Sequence, residues 1–472
     1  MMLRRVLISI VALVVMIMFT ACSSSKTQTN SSEKEATKLD KLDGFDWKRF
    51  KGEEINVLLN QHPYAEAIIE RLPEFEKLTG IKVKHSVTPE ESYFDKLTTA
   101  LNAKNGNPDV FMTGSYQLWE YAPAGYIQEL DSFLKDKTRT SDDYDQEDFF
   151  EGVLGADKWD LTPGHKVGTG NLWAIPLGFE INVLHYNKRA FKEAGISGPP
   201  KTFDELVETA TKLNGWNGEG SYGIGTRGTR SWATIHPGYM TAFANHGAKD
   251  FEIEDGKLVA KLNSPEAVEI TQKYADLIKK AGPKDWSNYT WYQVSTDLGA
   301  GKAAMAFDAD NFSFYNNKEG ASQEAGNLAV APPPTTKDGT DVGANMWVWS
   351  IAMNKTSEKK DASWLFMQYF TSKEHMIWGA TNANVVDPVR KSVWEDAGFK
   401  ERISKIDGYE ETFSSIIDNS TIKFTPQPEF FNSTTEWAAA LQDIVNGADA
   451  KKRLDQLTEE VNKRVERIRV DD

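Results

Sequence analysis

The chain has 472 residues, a net charge of −15 and a single cysteine. Its basic residues are dispersed, which argues against a nucleic-acid binder, since that function needs a basic patch. One cysteine cannot form a disulfide within the chain, so stability must come from an ordinary buried core, and roughly 420 folded residues suggest two domains rather than one.

The first element is a short leader. Arg4 and Arg5 form a positive head, and Val6 to Phe19 is apolar apart from Ser9. That run falls short of the about 20 residues a transmembrane helix needs. With small residues after it, the segment reads as a secretory signal peptide. Phe19-Thr20-Ala21-Cys22 resembles the bacterial lipoprotein box, with Phe19 where Leu is usual. The resemblance implies a signal peptide over 1–21, acylation of Cys22, and anchoring to the cell membrane on its outer side. Residues 22–52 are rich in Ser, Thr, Lys and Glu, and read as a flexible tether.

Next comes a βαβαβ pattern. Ile55 to Leu59 is a short apolar run, read as a strand. Tyr64 to Thr79 has helical spacing, with a kink expected at Pro73 and a stop at Gly80. Ile81 to Val87 alternates as a strand, Ser92 to Lys104 reads as a helix, and Pro108 to Met112 as a third strand. This order predicts a parallel sheet of an α/β fold with right-handed crossovers. Ligands of such sheets sit beyond the carboxyl ends of the strands, which makes Asn60, Gln61, His62, Thr113, Gly114 and Tyr116 candidates. Further on, Thr202 and Glu205 have the spacing of a capping box, and Ser264-Pro265 opens a helix that Gly282-Pro283 stops. The last helices are expected over Glu436 to Val445 and Ala448 to Val470.

Ile175 to Phe191, IPLGFEINVLHYNKRAF, begins an ordered set of segments. FEKLTGIKV precedes it; GKAAMAFDADNF, APPP, GANMWVWSI, KKDASWLFMQYFTSKE, PVRKSV and PQPEF follow in order. Together they resemble the extracellular solute-binding proteins of ABC importers, in the sugar-binding, maltose-binding-protein-like group. The resemblance implies a periplasmic-binding-protein fold of two discontinuous lobes, closing on a ligand at a hinge. It places lobe one at 53–179 plus 333–355 and lobe two at 182–329 plus 358–472. Crossings are expected near 178–183, 329–335 and 354–359. The implied function is capture of a sugar, oligosaccharide or polyol for an ABC permease, without chemical change, by a monomer that needs no cofactor.

Sugar hydroxyls suit carboxylates, amides and Arg, and aromatic faces suit C–H patches. Glu180 falls at an expected crossing where the family has a ligand-facing acid, with Asn182 on the same strand face. Trp232 lies where family members place an aromatic stacker, beside His236. Asp308, Asp310, Asn311 and Phe312 follow a segment that delivers groups to the cleft. Trp347 and Trp349 alternate on one strand and share a face, and Arg390 is a candidate donor to hydroxyls. Asp308-Ala309-Asp310 lacks the glycine of a calcium loop, and the seven histidines show no zinc spacing, so no metal is expected. Gly223 to Gly228 matches G-x-G-x-x-G but follows a turn cluster, and reads as a glycine-rich loop rather than a dinucleotide site. The competing readings are an exported glycoside hydrolase, which would need two spaced carboxylates, and a cell-surface carbohydrate-binding lipoprotein.

Overall fold

The computed structural model describes residues 45–335 and 342–470. Cys22, the expected signal peptide and the tether as far as residue 44 lie outside them. In chain order the strands are β1 (Glu54–Asn60), β2 (Lys82–Thr88), β3 (Val110–Gly114), β4 (Lys158–Trp159), β5 (Asn171–Leu172) and β6 (Ile175–Asn187). They continue with β7 (Tyr222–Gly225), β8 (Phe251–Glu254), β9 (Lys257–Ala260), β10 (Ala303–Ala309), β11 (Leu328–Ala331) and β12 (Met346–Met353).

β1 pairs in parallel with β2 and β3, as the βαβαβ pattern predicts. β3 (VFMTG) is buried along its whole length, the pattern of a strand covered on both faces. β2 is an edge strand, and Lys82 and Lys84 discourage pairing with a second chain. Between β1 and β2 the helix Pro63–Thr79 starts at His62, whose Nδ1 accepts from Tyr64 N at 3.4 Å. Pro63 stands in the first turn, where no N–H is needed. The helix runs on through Pro73 and ends at Gly80, whose φ of 72° is the left-handed conformation glycine adopts without strain.

β6 joins the two halves of the molecule. Its residues from Ile175 to Ile181 pair antiparallel with β12. From Asn182 onward the same strand pairs antiparallel with β10 and then β11. β10 in turn pairs in parallel with β7. The order β2-β1-β3-β12-β6-β10-β7 is thus two sheet halves threaded by one strand, each carrying its own helices.

In the first lobe, Phe75 packs on Phe366 and Phe370, with ring centroids 5.4 and 5.7 Å apart. In the second, Phe203 stacks near Tyr274 at 6.1 Å, and Trp437 packs on Tyr239 and Phe243 at 5.6 and 4.9 Å. Each ring buried this way contributes roughly 1.5–3 kcal/mol.

The packing corrects three expected boundaries. Trp47 is buried and its ring lies 6.5 Å from Tyr369, so the folded body includes residues 45–52 of the expected tether. The segment 354–359 does not cross between lobes. Asn354 Nδ2 donates to Pro108 O at 2.9 Å, and Ser357 Oγ donates to Asp109 at 2.6 Å, holding it on the first lobe. The helix Lys360–Phe370 also packs there, through Trp364 Nε1 donating to Thr140 Oγ1 at 3.0 Å, rather than with the rest of 358–472. Thr335 bridges to Thr202 and its N–H bonds Lys201 O at 3.0 Å, so it belongs with the second lobe and not the first.

Candidate functional site

A cavity of about 250 Å³ lies where β6 changes partners. Trp347 and Trp349 of β12 line it from one face, their centroids 5.2 Å apart. Glu180 of β6 stands directly across the ladder from Trp347. Gln61 and His62 reach it from the end of β1, as expected for a parallel sheet. The second lobe contributes Trp232 and His236, and Asn311 and Phe312 at the start of the helix after β10.

Small residues behind the cavity set where the large ones stand. A Cβ on Gly114 would come within 2.0 Å of the Trp347 ring, so Gly114 makes room for the indole rather than touching a ligand itself. Tyr116 is buried behind Trp347 at 5.0 Å, and its hydroxyl donates to Met346 O at 2.8 Å. Asn345 Nδ2 donates to that hydroxyl at 3.0 Å and to His236 O at 2.6 Å. Asn182 is buried beside Thr241, Asn345 and the His236 carbonyl, locking β6 in place. Phe430 of the second lobe packs on Tyr116 and Trp119 of the first, at 4.9 and 5.0 Å, so the cleft is closed around the cavity.

Arg227 is the cationic side chain among the cavity-lining residues that stays charged at neutral pH. Its guanidinium is engaged. Nε donates to Asp308 Oδ2 at 2.9 Å and Nη2 to Oδ1 at 2.6 Å, a bidentate buried pair. Nη1 lies 3.0 Å from His236 Nε2. Burial, with Arg227 beside it, pushes His236 well below the usual imidazole range. Its Nε2 therefore accepts from Arg227 and its proton sits on Nδ1.

Glu180 has a different environment. Trp349 Nε1 donates to its Oε1 at 3.3 Å. His62 Nε2 lies 3.9 Å from the same oxygen, a spacing compatible with an ion pair. Burial pushes the Glu180 carboxyl up to about 8 and His62 down to about 3, so near pH 7 both groups are mainly neutral and the contact is not ionic.

Several sequence candidates stand away from the cavity. Asn60 and Thr113 are buried in the strands before it. Asp308 is consumed by Arg227. Asp310 accepts from Ile181 N at 3.2 Å, and burial together with Asp387 pushes its carboxyl well up. Tyr409 OH donates to Asp387 and lies 3.5 Å from Asp310 Oδ2, which makes this group a tie at the crossing strand. Arg390 is fully buried in the first lobe. It donates to Thr371 O, Tyr144 O and Asp145 O at 2.7–2.8 Å and lies 3.5 Å from Asp148 Oδ2, and it does not line the cavity.

Sequence reasoning missed Glu90, Arg227, Trp291, Ser295, Tyr315 and Asn384, all of which line the cavity. Arg227 lies inside the Gly223–Gly228 match, half of which is β7. Trp291 follows Thr290, whose capping box with Gln293 is a readable helix start.

The fold and this aromatic site suit a receptor that binds a solute. The chain is 44% identical over 414 residues to the erythritol/L-threitol-binding protein of Mycolicibacterium smegmatis, covering 88% of this chain and 86% of that one. Its structure is similar to the ABC transporter solute-binding protein of Agrobacterium vitis S4 with bound D-mannitol, with a TM-score of 0.72 and 23% identity, covering 88% of this chain and 98% of that one. It is also similar to maltose-bound MalE3 of T. maritima, with a TM-score of 0.73 and 22% identity, covering 87% and 99%. Residues 60–377 match the bacterial extracellular solute-binding protein profile, and the chain belongs to that family. It is an extracytoplasmic solute receptor of an ABC importer, not an enzyme.

Proposed function

We propose that the protein captures a short acyclic polyol, of tetritol to hexitol size, and presents it to its permease. The aromatic cavity carries this reading. Its volume of about 250 Å³ suits a small polyol rather than an oligosaccharide, being below the roughly 300–1,000 Å³ of sites that take drug-sized ligands. Trp232, Trp291, Trp347 and Trp349 offer faces for a C–H backbone, while Gln61, Asn311 and Glu180 offer hydrogen bonds to hydroxyls. A phosphorylated or carboxylated ligand is disfavoured, because Arg227 is spent on Asp308 and Glu90 lies on the same wall. The erythritol/L-threitol-binding relative supports the same choice.

In this reading the lobes hinge where β6 passes from Ile181 to Asn182. Another crossing falls near Asp407, whose carbonyl accepts from Val330 N at 2.9 Å. A lipidated Cys22 tethers the receptor, as a monomer, to the outer face of the membrane.

A thermal-shift panel of erythritol, threitol, ribitol, mannitol and maltose tests the ligand class. A polyol at about 100 times its dissociation constant stabilises the protein by roughly 2.7 kcal/mol. A shift with maltose and none with any polyol would overturn the reading.

A further inference from the structure

Glu180 occupies an unusual position for a ligand-facing acid. It lines the cavity at 8% exposure. Among the described residues its carboxyl takes one hydrogen bond, from Trp349 Nε1. An ionised carboxylate there would need a counter-charge, and Arg227, whose field favours the ionised form, is outweighed by burial. Arg227, after β7, is held by Asp308 of β10. His62, after β1, is 3.9 Å away and neutral. Glu90, at the start of the helix Glu90–Asn102, adds negative charge, and so do Asp308 and Asp387. Asp310 and the phenols of Tyr64, Tyr116 and Tyr315 also face this region, and none of them is a cation.

We propose that Glu180 recognises the polyol as a neutral carboxylic acid, donating its proton to a ligand hydroxyl, so that capture requires that proton. This deepens the polyol reading and rests on it. A protonated carboxyl offers one donor and one acceptor, which matches a hydroxyl, whereas a carboxylate only accepts. A polyol carries no charge to offset the carboxylate. Its entry also removes the water that solvates the ionised form, so binding holds the proton more tightly. Protonation of Glu180 thereby sets the upper pH limit of solute capture.

The free acid's value, up to about 8, sets the window. Calorimetric titration with erythritol, ribitol and mannitol should give binding about tenfold weaker at pH 9 than at pH 7. Repeating the pH 9 titration in two buffers of different ionisation enthalpy should show uptake of close to one proton per ligand. Glu180→Gln, which keeps a donor and an acceptor without charge, should bind at pH 7 within about threefold of the native protein and show no pH dependence. The buffer experiment needs no variant, so the proposal stays testable if Glu180→Gln does not fold. Asp387, up to about 7, also titrates nearby, and pH dependence surviving in Glu180→Gln would assign the proton elsewhere and overturn the proposal. Native binding unchanged to pH 9, or loss of more than about tenfold in Glu180→Gln at pH 7, would overturn it as well. Those results leave the polyol reading standing. No binding of any of the three polyols at any pH would overturn both.

Discussion

At the scale of single residues, two buried charges make separable predictions. Asp308 and Arg227 are both buried, and each is the other's counter-charge. Removing one partner strands the other, a loss of about 3–5 kcal/mol. Asp308→Ala is therefore expected to lower unfolding stability by that amount in urea denaturation at pH 7; a change within experimental error would show that the pair is not needed. Asp157 accepts from Ser115 Oγ at 2.8 Å, and burial pushes its carboxyl up to about 7. A raised acid stabilises fully below its unfolded value and loses that contribution as pH rises through the folded value. Asp157→Asn should therefore gain stability over the native protein between pH 4 and pH 7, by on the order of 4 kcal/mol, with no further gain above that. A constant difference across that range would contradict the assignment. Trp347 and Trp349 are legible in the sequence because alternation puts them on one strand face, Glu180 and Trp232 only through the family resemblance, and Trp291 by neither. Asp308 and Arg390 were misleading for a physical reason: an acid or an Arg aimed at a ligand has the same local sequence as one aimed at a buried partner. Arg227 is not legible in the sequence because the glycines around it mark a backbone loop and carry no information about the side chain between them.

At the scale of elements, caps and punctuation were read correctly. Both halves of the Thr202–Glu205 capping box are present, and Ser264 caps the helix Pro265–Ala281. What periodicity could not show is the partner of a buried face. Lys360–Phe370 carries apolar residues suited to either lobe, and contacts such as those of Phe366 with Phe75 and Trp364 with Thr140 assign it to the first. The end of β3 yields a prediction of its own. Gly114 has ordinary backbone angles, with φ −105°, but its missing Cβ leaves space for Trp347. Gly114→Ala should displace the indole and weaken polyol binding by about tenfold or more, with little change in circular dichroism. Unchanged affinity would mean that Trp347 does not touch the ligand.

At the scale of the whole molecule, the proposed function makes closure the event that signals capture. Contacts of Phe430 with Tyr116 and Trp119 exist only while the lobes are together, so ligand that fills the cavity favours them. Small-angle scattering should show compaction on adding erythritol, and an unchanged radius of gyration would count against a hinge. Cys22→Ser should shift the protein from the membrane fraction into the medium, and continued retention would remove the lipid anchor from the account. The most direct test of the central claim is a crystal structure grown with erythritol. One molecule is expected in the cavity, stacked on Trp347 and within hydrogen-bond distance of Glu180, with the lobes closed. An empty cavity at saturating erythritol, or a polyol bound elsewhere on the protein, would contradict it.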